Sequence, residues 1–140
     1  MLGFKTEKEF ISEAKKFFQK KGLLVYEGVP CLSRCIDLLV EDNDVFKAIE
    51  FKLHDWRRGL IQASDHLLAV DYSYVCLPQR RISQRMLNCF KGSGIGLMIY
   101  TGNEEDPFWE VLPAEKSNVK WPVAGSWLKR SLREGQHIAK

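Results

Sequence analysis

A single mixed α/β domain is the fold class that this 140-residue sequence predicts, and three observations predict it. Hydrophobic residues recur at helical spacing near the N-terminus, two strand-like runs flank a polar turn at residues 42–44, and strand, helix and strand follow one another from Val45 to Leu77. The last of these is a βαβ unit, which crosses over right-handed into a parallel pair. With 45% hydrophobic and 28% charged residues, the composition is that of one globular domain spanning 1–140. Its core is expected over about residues 6–100, with a C-terminal extension over about 113–140.

The elements follow in order. Phe10, Ile11, Ala14, Phe17 and Phe18 form the apolar stripe of a first helix, which Thr6 caps with Glu9 as its capping-box partner and Gly22 stops. Leu23–Tyr26 reads as a short strand and leads to a loop around Pro30 and Cys31. Ile36–Val40 and Val45–Leu53 are two further strands joined across Asp42-Asn43-Asp44. A second helix starts near Asp55, with Leu60, Ile61, Ser64, Leu67 and Leu68 as its buried stripe. Tyr72–Leu77 is a strand, Ser83–Phe90 a helix, and Ile95–Tyr100 and Trp109–Leu112 the last strands. A short basic helix near Trp127–Arg133 ends the pattern.

Composition excludes some classes of function. No apolar run reaches the ~18 residues of a membrane helix, and Lys5, Glu7, Lys8 and Glu9 are unlike a signal peptide. A cytoplasmic protein without a membrane partner is therefore expected. Four cysteines, Cys31, Cys35, Cys76 and Cys89, are few for a disulfide scaffold. The net charge of +3 is unevenly spread: residues 78–92 carry four bases and no acid, and residues 113–140 six bases and two acids. Such basic segments can neutralise phosphates, which admits nucleic acid as a partner.

The hairpin at 36–53 is the most informative segment. If Asn43-Asp44 is a two-residue loop, Asp37 lies opposite Glu50 and Cys35 opposite Lys52. Alternation then puts Asp37, Glu50 and Lys52 on one charged face, and Ile36, Leu38, Val40, Ile49, Phe51 and Leu53 on an apolar one. Like charges on opposed strand positions destabilise a sheet, so an offset is required. Mg²⁺, held by one or two carboxylates plus waters and substrate phosphates, supplies one and leaves Lys52 to meet an anion.

Asp37 followed by Glu50-Phe51-Lys52 resembles the Asp…Glu-x-Lys signature of the PD-(D/E)XK nuclease superfamily, although Ile36 stands where a Pro is often found. The element order over residues 6–77 is similar to the αβββαβ core of that restriction-endonuclease-like fold. The resemblance implies a metal-dependent nuclease, with DNA favoured as substrate, that hydrolyses phosphodiesters by a metal-activated water. It implies that Asp37 and Glu50 bind Mg²⁺ or Mn²⁺ while Lys52 orients the water and offsets phosphate charge. Gln62 is similar to a polar residue many members carry on the helix after the third strand, and Glu9 or Glu13 to a metal-binding Glu on the first helix. A catalytically inactive nucleic-acid- or protein-binding module of the same fold is the alternative.

Arg34, Arg57, Arg58, Arg80 and Arg81 are candidate contacts to a polyanion, because the starts of the second and third helices fall at the same sheet end as Lys52. Trp56 either stacks on a base there or belongs to the core. His54 and His66 read as surface groups or as groups behind the site, since His-x₁₁-His is no zinc spacing. Gly92-Ser93-Gly94 leads into a strand and reads as a turn. A homodimer would suit an enzyme that cuts two strands, and Trp121 and Trp127 in the tail either supply its interface or close the core.

Overall fold

The structure, a computed structural model, describes residues 3–32 and 34–135. Thr6 caps α1 (Glu7–Lys20) with the reciprocal Glu9 bonds of a capping box. Three strands follow: β1 (Leu24–Cys31), β2 (Arg34–Asp42) and β3 (Val45–Phe51). Then come α2 (Trp56–His66), β4 (Tyr72–Pro78), α3 (Gln84–Ser93), β5 (Gly96–Tyr100), β6 (Phe108–Leu112) and α4 (Pro122–Gly135). The strands form one six-stranded mixed sheet in sequence order. β3, β4 and β5 run parallel, and the remaining pairs are antiparallel.

The β2–β3 register is the one the turn predicts, Leu38 opposite Ile49 and Asp42 opposite Val45. Asn43 and Asp44 both take positive φ, 51° and 66°, the conformation a two-residue hairpin turn needs to match strand twist. The β1 strand is longer than expected, since Pro30 and Cys31 pair with Cys35 and Arg34 rather than forming a loop. Pro30 is tolerated because β1 is an edge strand, whose outer N–H groups have no ladder partner.

Packing covers both faces of the central strands, so the hairpin has no solvated charged face. On one side α1 lays Phe10 and Ala14 on Leu38, Val40, Ile49 and Phe51. On the other, α2 and α3 enclose Val75, Leu77, Leu97 and Ile99, and α4 covers Leu39, Phe46 and Ala48 with Ala124, Leu128 and Leu132. Parallel strands joined by helical crossovers are covered in this way because the helices lie on the sheet faces. Ile36 joins the α4 cluster instead of sharing the side of Leu38. The alternation breaks at Asp37, which lies opposite Gly28, between the pairs Glu27↔Leu38 and Val29↔Ile36. Gly28 has φ 63°, a bend that an L side chain rarely adopts.

The α2 stripe also differs from expectation. Trp56, Gly59, Ala63 and His66 are buried, whereas Ile61 is 61% exposed and Ser64 lies outside. Gly59 permits close packing: a Cβ there would come 3.0 Å from Lys52 Cγ and 3.1 Å from Val75 Cγ1. Small residues thus bring α2 down onto β3 and β4. The segment after β6 returns across the sheet to α4. Ser117 donates to the carbonyls of Asp71 and Leu67, and Lys120 pairs with Asp71, whose other carboxylate oxygen accepts from Phe46 N–H at 2.9 Å. No helix among the described residues is long and apolar enough to cross a membrane.

Because α4 belongs to the core, Leu128→Ala is expected to lower unfolding stability by about 2–4 kcal/mol. Val123, 80% exposed on the same helix, is expected to accept Ser within about 0.5 kcal/mol. Urea denaturation of both variants checks this, and an unchanged midpoint for Leu128→Ala would show that the tail is dispensable.

Candidate functional site

Beyond the Leu38↔Ile49 pair the β2–β3 ladder ends, and Cys35 is not paired with Lys52 as the extrapolated register expects. Side chains take over from the backbone at that point. Phe51 N–H donates to Asp37 Oδ2 at 2.9 Å, and Asp37 N–H approaches Glu50 Oε1 at 3.4 Å. Lys52 N–H turns instead to the Cys76 carbonyl of β4 at 3.2 Å. The hairpin therefore splays where its two acids meet, and each acid is tied to the other strand.

Glu50 lies under α2 and is only 2% exposed. Its Oε1 is 2.5 Å from Nε2 of His66, the last residue of α2, itself 1% exposed. With Glu50 ionised its oxygens only accept, so Nε2 carries the hydrogen in this contact. His66 Nδ1 then has no partner among the described residues, and neither does the buried Oε1 of Gln62 one turn earlier. Gln62 is half-buried at the margin of the α2 stripe rather than off it.

Asp37 is the electrostatically stressed member of the pair. Burial, then the neighbouring Glu50 charge, push its carboxyl up to about 7, against the pull of the Phe51 N–H and the Lys52 charge. Lys52 completes the group with its ammonium 4.0 Å from Glu7 Oε1 and its stem pressed against Gly59. The acid of α1 beside Lys52 is thus Glu7 rather than Glu9 or Glu13. Glu9 is exposed and uses its carboxylate on the backbone N–H groups of Lys5 and Thr6. Glu13 is exposed further along α1, in a groove with Lys16 and Lys20.

The arginines divide into three sets. Arg34 is ion-paired with Asp65 of α2. Arg57 lies over the Trp56 ring at 4.4 Å and Arg58 is exposed beside it. Trp56 is buried near Phe90, which settles it as a core residue. Arg80 and Arg81, after β4, are exposed and line a cavity of about 700 Å³ with His54. All four cysteines are free. Trp121 and Trp127, 55% and 41% exposed, do not close the core.

Sequence reasoning did not single out Glu7 or the His66–Glu50 contact. The latter had one signal: His66 lies seven residues after Gly59, two helical turns along the same face.

No protein-family model and no curated protein matches this chain. A crystal structure of a protein of unknown function, AF1548, is similar in fold, with a TM-score of 0.53 and 14% identity over 69% of this chain. The chain spans 59% of the length of that protein.

The raised Asp37 carboxyl has a consequence for stability in the absence of metal. The folded state holds this proton to about pH 7 and the unfolded state only to the ordinary carboxylate range near 3.8, so the charged form opposes folding. Stability assisted by the proton is complete below the unfolded value and is lost as pH rises towards 7. In EDTA, Asp37→Asn is expected to gain stability over the parent as pH rises from 4 to 8, read from urea midpoints. A constant difference across that range would rule out the stressed carboxyl.

Proposed function

We propose that this chain is a nuclease that hydrolyses phosphodiester bonds, DNA being the favoured substrate, with Mg²⁺ or Mn²⁺ as cofactor. The observation that carries the reading is the opposition of half-buried Asp37 and buried Glu50 next to Lys52. The order α1, β1, β2, β3, α2, β4 around them is similar to the order expected of a restriction-endonuclease-like core, which supports the same reading.

The residues fit a hard divalent cation. One oxygen of each carboxylate is engaged, Asp37 Oδ2 by Phe51 N–H and Glu50 Oε1 by His66, so Asp37 and Glu50 would hold the cation through the oxygens that remain. No group of three or more His, Cys, Asp or Glu side chains suited to a metal occurs among the described residues. Two carboxylates suffice for Mg²⁺, which keeps several waters and takes substrate phosphate oxygens. When bound, the cation polarises the phosphate and lowers the pKa of an attacking water.

The protein's own groups supply the rest. Lys52 donates from its ammonium to a phosphate oxygen and stabilises the charge that develops there, exchanging the long Glu7 contact for substrate. The unpartnered Gln62 oxygen is an acceptor for a water or a substrate hydroxyl. His66 keeps Glu50 in one orientation through the short Nε2–Oε1 contact.

Calorimetric titration of Mg²⁺ and Mn²⁺ tests the site, and metal-dependent cleavage of mixed DNA and RNA substrates tests the chemistry. Wild type is expected to bind, Glu50→Gln to lose binding, and His66→Ala to bind about 10–100-fold more weakly. Lys52→Ala is expected to keep the metal while its cleavage rate falls by about 10²–10³. Absence of metal binding in wild type, with and without an oligonucleotide to complete the site, sinks the proposal and leaves a binding module.

A further inference from the structure

The cavity at the C-terminal ends of β3 and β4 has a composition that the hydrolytic chemistry does not require. Its walls are of two kinds. Arg80 and Arg81 offer positive charge and His54 a ring N–H, whereas Phe4, Leu53 and Pro78 are apolar. None of its eight lining residues is acidic. Arg80 is held at the rim, donating from Nε to the Arg81 carbonyl at 3.1 Å and from Nη1 to the His54 carbonyl at 3.3 Å. Phe4 is held as well, stacked on Phe10 at 4.6 Å and against Tyr100 at 5.1 Å. A volume of about 700 Å³ falls within the range of small-molecule pockets.

We propose that this cavity takes one unpaired nucleotide of a single strand, its phosphate on Arg80 and Arg81 and its base against Phe4, Leu53 and Pro78. An anion alone would not use the apolar wall, and an apolar ligand would not use two guanidiniums. A nucleotide presents both a charged phosphate and a flat π-face, and single strands are held by such pairings of charge and stacking. A duplex keeps its bases paired and stacked, and cannot place one in a concave cavity without extruding it. Leu53 and His54 directly follow Lys52 in the chain, and Glu7, beside Lys52, is three residues from Phe4. The cavity thus shares with Lys52 the C-terminal ends of β3 and β4. The inference rests on the nuclease reading for its substrate, which becomes a nucleic acid with an unpaired nucleotide beside the scissile phosphate.

Binding is measured in EDTA, so that no cleavage occurs, by fluorescence anisotropy of a labelled single-stranded DNA of about 12 nucleotides and of the corresponding blunt duplex. Wild type is expected to bind the single strand at least about tenfold more tightly than the duplex. Arg80→Ala/Arg81→Ala is expected to abolish this preference. Arg57→Ala/Arg58→Ala, which removes the same charge at the start of α2, is expected to weaken both ligands and retain the preference. Equal affinity for the two DNAs, or equal losses in the two double variants, overturns the proposal. Displacement by free nucleoside monophosphate as effective as by the oligonucleotide overturns it too, in favour of a free nucleotide. Metal-dependent cleavage of blunt duplex without single-strand preference removes the cavity proposal alone. Single-strand preference without metal binding removes the nuclease reading alone.

Discussion

Burying Glu50 beneath α2 is the constraint on which the arrangement of the site depends. A carboxylate only 2% exposed needs hydrogen bonds, and His66 at the end of α2 supplies the short one. That contact sets the position of α2 over β3 in register with the acid. Gly59 and Ala63 between them and the helix start keep the approach close enough for it. A second acid beside the first cannot be accommodated by the same histidine. Asp37 instead draws on Phe51 N–H, and the backbone ladder of β2 and β3 stops where its carboxylate replaces a carbonyl as acceptor. The splay of the hairpin, the bend at Gly28 and the transfer of Ile36 to the opposite cluster occur together around this one residue.

The same constraint separates the two acids energetically. Glu50 has a buried partner, so removing the acid leaves the buried His66 ring without its short contact. Asp37 has a neighbour of like charge and a single backbone donor, so its charge is the less stable of the two, as its upward-shifted carboxyl records. A sheet face that merely meets water would relax both groups by solvation. Here α2 and α4 cover that face, and any compensation must come from groups that enter between the strands or from the proton itself.

How much of this was legible in the sequence follows from which signals are local. The hairpin register was readable because Asn43 and Asp44 accept positive φ, and a two-residue loop admits one pairing. The α1 capping box was readable for a similar reason, since Thr6 and Glu9 satisfy each other within one turn. The buried stripe of α2 was misread because its inward residues include Gly59, Ala63 and His66, which a hydrophobic pattern passes over in favour of Ile61. Long-range pairings left no periodic trace. Glu7 beside Lys52, Asp65 beside Arg34 and His66 over Glu50 each join elements whose relative placement is decided by packing.

The sheet topology explains why chemistry collects at one end of the molecule. β3, β4 and β5 run parallel, so the turns that follow β3 and β4 fall on the same side of the sheet. Residues immediately after strand ends are free of ladder geometry and can present side chains to a ligand. Lys52 and His54 follow β3, while Arg80 and Arg81 follow β4, and Arg80 binds the His54 carbonyl across the gap. The opposite end is sealed by Asp71, which ties Phe46 to Lys120 and accepts Ser117 N–H at its carbonyl. Its single carboxylate is fully used by structure. Lys52, Arg80 and Arg81 thus gather positive charge at the same end of the sheet as the stressed carboxyl of Asp37, the distribution that the proposed phosphate-bearing substrate would need.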